Sequence, residues 1–400
     1  MLLWAGLIVA GLVLLRGVST GEVQPLFLPT PTATRSVTSY REEGQAFFEA
    51  GNLDLAIQAY QDALAVDPTD FVGWAELARI QAYSSSTLTQ ENKRVRLQEA
   101  LDSIETALDL NAESSIVHAV RAFVLDWSAG AAGSAAERQA FLAQASTAAL
   151  LARQLDNRNV LALAYQAEVF VDQQQYTQAF QYAELALSLE PNSLDTRRVY
   201  AYVLEASGEY GAAIDQYKGA AEVAPNLTFL YISIGQNYRQ LGLYDQALEY
   251  FDRAASINAV LGIEDPLPYV AIAKTYSRQG EFFAAAANAL RALEINPIDP
   301  DLYGQLGIIY FRSRNYESSV PTLKCAVEGC TAEENEEADV AVVGMALDDA
   351  TLPYYYTYGS VTAALEICDV SLPILDQLSA AYSEDPLVMG IVQENYNICR

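Results

Sequence analysis

The chain has 400 residues, with 51 acidic against 23 basic side chains and a formal net charge of −28. Such a charge repels polyanions, which excludes nucleic acid as an expected partner, while 52% hydrophobic residues exclude a disordered acidic tail. A single histidine, His118, cannot build a histidine-rich metal site. Glycine-rich loops of phosphate-binding spacing and H-E-x-x-H motifs are both absent from the sequence. The expectation is a non-enzyme with no catalytic residue, no metal and no cofactor.

Residues 1–15 carry no charged side chain and are nearly all apolar, and Arg16 closes the run. A helix over residues 1–18 would reach about 27 Å, near the roughly 30 Å of a hydrocarbon core, with Arg16 snorkelling toward the headgroups. This predicts a transmembrane or signal-anchor helix over 1–18 and a single-pass cell-membrane protein with the membrane as one partner. The alternative is a signal peptide whose cleavage leaves a secreted chain. Residues 19–36 read as a Pro/Thr-rich spacer. With lysine scarce and the cysteines confined to the end of the chain, the spacer places the body on the extracytoplasmic side.

Self-similarity dominates the chain beyond the spacer. Gly44, Phe47, Gly51, Ala56, Tyr60 and Ala63 return at identical spacing as Gly235, Tyr238, Gly242, Ala247, Phe251 and Ala254. Pro191 and Pro225 mark one period of 34 residues. Each unit has a first helix with a small residue midway (Gly44, Ala78, Ala122, Ala167, Ala201, Gly235, Ala273 or Gly307). A turn comes next, marked in four units by Gly51, Gly208, Gly242 or Gly280, and then a second helix that stops near a proline such as Pro68 or Pro297. One such hairpin cannot bury its own apolar face, so the units must stack.

These residues resemble the tetratricopeptide repeat family over about residues 37–326. The resemblance implies an all-α fold: a right-handed superhelical solenoid of antiparallel helix pairs, preceded here by one hydrophobic N-terminal helix. About eight repeats occupy 37–327, and 328–400 form an irregular cysteine-containing repeat with a capping helix. Insertions at 84–93 and 128–136 enlarge the turns of neighbouring units and place two loops side by side. They read as tolerated surface growth or as a paired lip for a partner. A shorter insertion at 262–265 separates the sixth and seventh units and can alter the local twist. The acidic run 332–339 reads as a solvated loop, since it lacks the ligand spacing of a calcium site. Four tyrosines crowd 354–359, and one helix cannot turn all of them inward, so Tyr354 or Tyr356 is expected at an exposed interface.

Cys325, Cys330, Cys368 and Cys399 all lie in the last quarter, without a C-x-x-C pair. An even number there reads as two structural disulfides, with Cys325–Cys330 and Cys368–Cys399 favoured among three pairings; free thiols and a metal are the alternatives. In the repeat frame the second pair ties the last repeat to its cap.

The resemblance also implies a concave groove lined by first helices and able to hold peptide. Carried over by position, the groove residues are Arg198 and Tyr202 in the fifth unit, and Phe229, Gln236 and Arg239 in the sixth. The seventh supplies Lys274 and Arg278, and the eighth Phe311 and Arg312. Arg239, Lys274, Arg278 and Arg312 would form a positive track suited to an acidic peptide segment, or would merely offset the acidic edges of the solenoid. Two functions fit these residues. One is a non-catalytic, membrane-tethered scaffold or adaptor that binds a protein or peptide in the groove. The other is a self-associating structural envelope protein with no peptide ligand.

Overall fold

The computed structural model describes residues 35–400 and scattered positions between Trp4 and Arg16. Short polar side chains start many of the helices. Ser36, Asn52, Asp70, Ser114, Ser134 and Asn159 each accept a hydrogen bond from a backbone N–H of the first turn they precede. Prolines at the first positions of others, such as Pro300 and Pro386, use the N–H vacancy that a helix start leaves free. Helices end at Val66, Leu189, Val223 and Ile295, each two residues before a proline.

From residue 37 onward the described residues form nineteen helices. They pair as α1 (Val37–Glu49) with α2 (Leu53–Val66), α3 (Phe71–Ser85) with α4 (Gln90–Leu110), and α5 (Ser115–Gly130) with α6 (Ala135–Leu155). Next come α7 (Val160–Asp172) with α8 (Tyr176–Leu189), α9 (Leu194–Ala206) with α10 (Tyr210–Val223), and α11 (Thr228–Gln240) with α12 (Tyr244–Leu261). The series continues with α13 (Leu267–Gln279) and α14 (Phe282–Ile295), then α15 (Pro300–Arg312) and α16 (Tyr316–Val327). A short antiparallel pair, β1 (Gly329–Cys330) and β2 (Val342–Val343), interrupts the helices with Gly329 opposite Val343. The final pair is α17 (Leu352–Ala364) with α18 (Cys368–Ala381), and α19 (Pro386–Cys399) covers its open face.

Small residues let the paired helices touch. A Cβ on Gly44 would lie 2.6 Å from the Tyr60 ring, and one on Gly235 only 2.4 Å from Phe251. The last two pairs keep the same device. Ser319 donates to the Gly307 carbonyl and Ser371 to that of Gly359, both at 2.9 Å, each two residues before a proline inside the helix. Thus the irregular end is one more repeat, set apart by the β1–β2 insertion. Cys325 is bonded to Cys330 at the foot of that insertion, and Cys368 to Cys399, joining the start of α18 to the end of α19. The acidic run lies between the strands, anchored by buried Asn335, which donates to the Tyr303 hydroxyl at 2.8 Å and to the Val340 carbonyl at 2.9 Å.

The apolar core falls into two large clusters, one from Phe48 to Ala254 and one from Val270 to Val392. A small cluster of Ala247, Phe251, Ala271 and Ile272 bridges them. This seam coincides with the insertion at 262–265, where Gly262 ends α12 at φ +68°. Asp265 is buried at the seam and accepts from Asn258 and from the Leu267 N–H.

The membrane placement requires correction. Among the described residues no helix is long and apolar enough to cross a membrane, so the single-pass cell-membrane localisation is not supported. The remainder of 1–18, any cleavage after it, and the spacer up to residue 34 lie outside the described residues.

The short turns between paired helices carry a left-handed residue. Glycine supplies it at 208 and 242, but Gln174 and Arg314 occupy the same conformation at φ 60° and 62°. Replacing both with glycine is expected to raise stability by about 1 kcal/mol in thermal unfolding; an unchanged or lower midpoint would refute the strain. Burial pushes the Asp265 carboxyl up to about 7, against its two hydrogen-bond donors. The folded value lies above the unfolded one, so folding takes up a proton. The contribution of this group then declines as pH rises from about 4 toward 7. Asp265→Asn should therefore gain stability relative to the parent between pH 5 and pH 8 in urea unfolding, and a constant difference would exclude this origin.

Candidate functional site

The first helices of successive pairs turn one face toward the superhelix axis, where the chain closes on itself. Tyr83 of α3 stacks on Phe229 of α11 with ring centroids 5.4 Å apart. Asp195 of α9 accepts from Arg79 at 2.6 Å, from the Tyr165 hydroxyl at 2.7 Å and from the Tyr83 hydroxyl. Arg198 grips Glu168 of α7 through two hydrogen bonds of 2.6 Å, and the Trp127 indole donates to the same carboxylate at 2.9 Å. All four charged groups are buried, so their mutual pairing must offset a large desolvation cost. Burial alone would raise the Asp195 carboxyl, yet Arg79, its hydrogen bond and Arg198 hold it below the usual range. Arg198 and Phe229, expected along an open groove, are thus inside a self-contact. Tyr202 stands at its edge and donates to Asp172 at 2.7 Å.

Beyond this hub the axis opens into two adjoining cavities of about 310 and 370 Å³, which share Ser86, Lys93, Ile232 and Gln236 as lining. The larger is basic. Arg239 lines it, donating to the Ala271 carbonyl at 3.3 Å, while its Nε is buried without an acceptor. Burial, and then the neighbouring Arg278, push the Arg239 guanidinium down to about 10. Lys274 is solvent-reachable, but the concave walls still strip enough water to lower its ammonium. Arg239 and Arg278 lower it further, against Asp301. Neither Lys274 nor Arg278 has an ion pair among the described residues. Arg312 extends the row, its Nη1 lying 3.5 Å from the Ser277 hydroxyl, and Phe311 stacks on Tyr316 at 5.6 Å. The structure therefore brings Gln236, Arg239 and Lys274 to one cavity, with Arg278 close enough to act on both cations and Arg312 beyond it on the next first helix.

That stretch has a roof. Thr89 and Asn92 of the 84–93 insertion and its flank bond Asp299, and Arg94 pairs with Asp348. The second insertion joins in. Arg94 donates to the Ala131 carbonyl at 3.0 Å, and the Asp349 N–H donates to that of Gly133 at 3.3 Å. The two loops do lie side by side, but the surface they touch is the C-terminal segment of the same chain. Lys93, carried by this roof, faces both cavities, and nothing in the repeat pattern marks it as a site residue. The tyrosine cluster is a second correction. Tyr354, Tyr355 and Tyr358 are buried and Tyr356 is half-buried, because Tyr354 donates to Asp301 at 2.6 Å and Tyr355 to the Met345 carbonyl at 2.7 Å. Tyr354 is therefore interior, and Tyr356 is the member of this cluster left partly exposed. His118 is a core histidine whose Nε2 meets the Ala112 carbonyl at 2.8 Å.

Comparison with known proteins bears on this architecture. A tetratricopeptide repeat family model matches residues 35–82, and a model for anaphase-promoting complex, cyclosome, subunit 3 matches residues 172–254. The crystal structure of yeast Tom70 superposes with a TM-score of 0.54 at 13% identity, covering 91% of this chain and 89% of that one. The chain has the fold of an all-α helical-repeat solenoid, similar to that of tetratricopeptide repeat proteins. Human IFIT1, solved as a dimer with m7Gppp-AAAA, is similar at TM-score 0.50 and 16% identity over 74% of this chain and 72% of that one. The BBSome complex member BBS4 of Bos taurus is 29% identical over 122 residues, 30% of this chain. That match spans 22% of the length of BBS4. Both family models fall within the stretch that builds the hub and the groove.

The hub makes a direct prediction for this repeat array. Asp195→Ala leaves Arg79 with Glu76 alone at 3.2 Å and removes an acceptor from two tyrosines, so it should cost about 3–5 kcal/mol in denaturant unfolding. Replacing Arg79 and Asp195 together with apolar residues should recover part of that loss. A cost below about 1 kcal/mol for the single change would show that the axis is not held closed by this cluster.

Proposed function

We propose that this chain is a non-catalytic scaffold that binds an acidic segment of a partner protein or peptide in the roofed, basic stretch of its groove. The observation that carries the reading is a cluster of cations without ion pairs among the described residues, only Asp301 lying near Lys274, on a molecule of net charge −28. Arg239 has a buried Nε without an acceptor, and Lys274 and Arg278 repel it without an ion pair of their own. Carboxylates of a ligand relieve that repulsion and satisfy the orphan N–H in one step. The alkyl wall of Ile232 and Val270 offers apolar contact beside the charges. A cavity of about 370 Å³ under a roof suits a few side chains of an extended segment rather than a helix of about 10 Å diameter. Two of the similar proteins bear the names of members of larger complexes, which supports a role in assembly for this chain as well.

The test is fluorescence anisotropy with a labelled, Glu-rich octapeptide containing one Phe. Binding is expected to weaken steeply between about 50 and 300 mM salt. Reversal of the exposed pair, Lys274→Glu with Arg278→Glu, should reduce affinity about tenfold or more without moving the thermal midpoint. Adding Arg239→Glu should abolish binding. Equal affinity in the reversed and parent chains would remove the groove assignment.

A further inference from the structure

The cavity next to the basic stretch has the opposite chemistry. Its walls carry Asp126 of α5, Glu168 and Asp172 of α7, and Glu205 of α9, with the rings of Trp127 and Phe229 between them. The countercharge is far smaller. Arg198 is already committed to Glu168 through both its terminal nitrogens. Arg138 reaches Asp172 from the exposed side only at 3.8 Å. Lys93 sits at the boundary with the basic cavity and forms no ion pair among the described residues. Glu205 has neutral partners, the Tyr217 hydroxyl at 3.0 Å and the Asn237 amide at 2.9 Å.

Asp126 is the telling group. It lines the cavity and is 2% exposed; its carboxyl shares a hydrogen bond with that of Asp172, and its Oδ1 is buried with no donor. A buried carboxyl oxygen without a donor costs free energy that a ligand N–H would recover. We propose that this chamber binds a primary alkylammonium group, with Asp126 and Glu205 accepting its N–H bonds and Trp127 and Phe229 flanking its carbon chain. An ammonium suits the site because it carries three donors and no acceptor, and because a cation beside an indole face gains further attraction. The inference rests on this chamber alone and is independent of the acidic-segment reading. A lysine side chain and a free diamine share the chemistry.

The free protein meets the excess negative charge by holding protons. Burial, and then Asp172 and Glu168, raise the Asp126 carboxyl well above the usual range; burial also raises Asp172 and Glu205. The groups that face Asp126 are Asp172 and Glu168 from α7 and Arg198 and Tyr202 from α9, with Arg138 of α6 and Lys93 of α4 at the margin. An arriving ammonium favours the ionised form of Asp126, so binding should expel a proton.

Isothermal titration of the full chain tests this, with putrescine and N-acetyl-lysine methylamide as separate probes, each run at pH 7 in phosphate and in Tris. Binding is expected with a heat that differs between buffers, the mark of proton release. Asp126→Asn should remove the buffer dependence, and Glu205→Gln should weaken binding about tenfold. Lys274→Glu should not weaken amine binding, which separates this site from the basic stretch. Binding of the lysine derivative alone assigns the site to a protein side chain; binding of putrescine alone assigns it to a free amine. Failure of both probes to bind, or equal binding by folded Asp126→Asn and Glu205→Gln variants, would overturn the proposal. Binding without buffer dependence would remove Asp126 from it.

Discussion

Everything in this molecule depends on the closure of the superhelix axis by one buried cluster. Arg79 and Tyr83 come from the second repeat and Glu168, Asp195 and Arg198 from the fourth and fifth, yet they form a single hydrogen-bonded unit with stacked rings beside it. Stacked repeats ordinarily touch only their neighbours, which leaves a solenoid free to flex along its length. Here distant first helices are locked face to face. Buried ion pairs give little net stability, because desolvation opposes attraction, but a mispaired one is very costly. The cluster therefore fixes geometry more than it adds stability, and the groove beyond it inherits a fixed width.

Closure also sorts charge. The hub takes Arg198 out of the groove and leaves a row of carboxylates on its far side. The roof from 84–93 and the C-terminal segment enclose a row of cations on the other. Two cavities of opposite sign thus adjoin within a chain whose exterior is strongly acidic. Neither sign is fully compensated from within. A ligand that enters either cavity replaces water against groups already desolvated and already fixed, so little reorganisation opposes binding. The same enclosure limits what can enter to chain segments and small groups.

The two ends of the array solve different problems. A terminal repeat has a neighbour on one side only, so its apolar face needs a cover and its chain needs restraint. At the C-terminus α19 provides the cover and the Cys368–Cys399 bond provides the restraint. The inserted β1–β2 hairpin lies where the 52-residue spacing between Gly307 and Gly359 exceeds one period, and it sets the last repeat against the rest of the array. The seam at 262–265 divides the core and places a buried carboxyl, Asp265, between the halves.

Much of this was legible in the residues. Small residues at 44 and 235, left-handed glycines at 208 and 242, and prolines after the second helices are local requirements. Sterics and backbone geometry dictate them wherever a helix hairpin forms, so the sequence by itself determined the helices, their pairing and their period. The positions facing the axis were legible too, since they derive from that period. What those positions would meet was not. Asp195 and Glu168 look like any solvated helix acid, and Arg198 looks like a groove cation, until the superhelix closes and buries them together. Lys93 and the tyrosines of 354–359 were equally opaque. An insertion has no period, and the Thr89 contact with Asp299 spans some two hundred residues. Only the tertiary structure decided which polar residues became core, which stayed as an unpaired lining, and that the groove has a roof. The physical reason is that twist accumulates over many repeats: a small rotation per unit, invisible in any one of them, sets whether distant first helices meet.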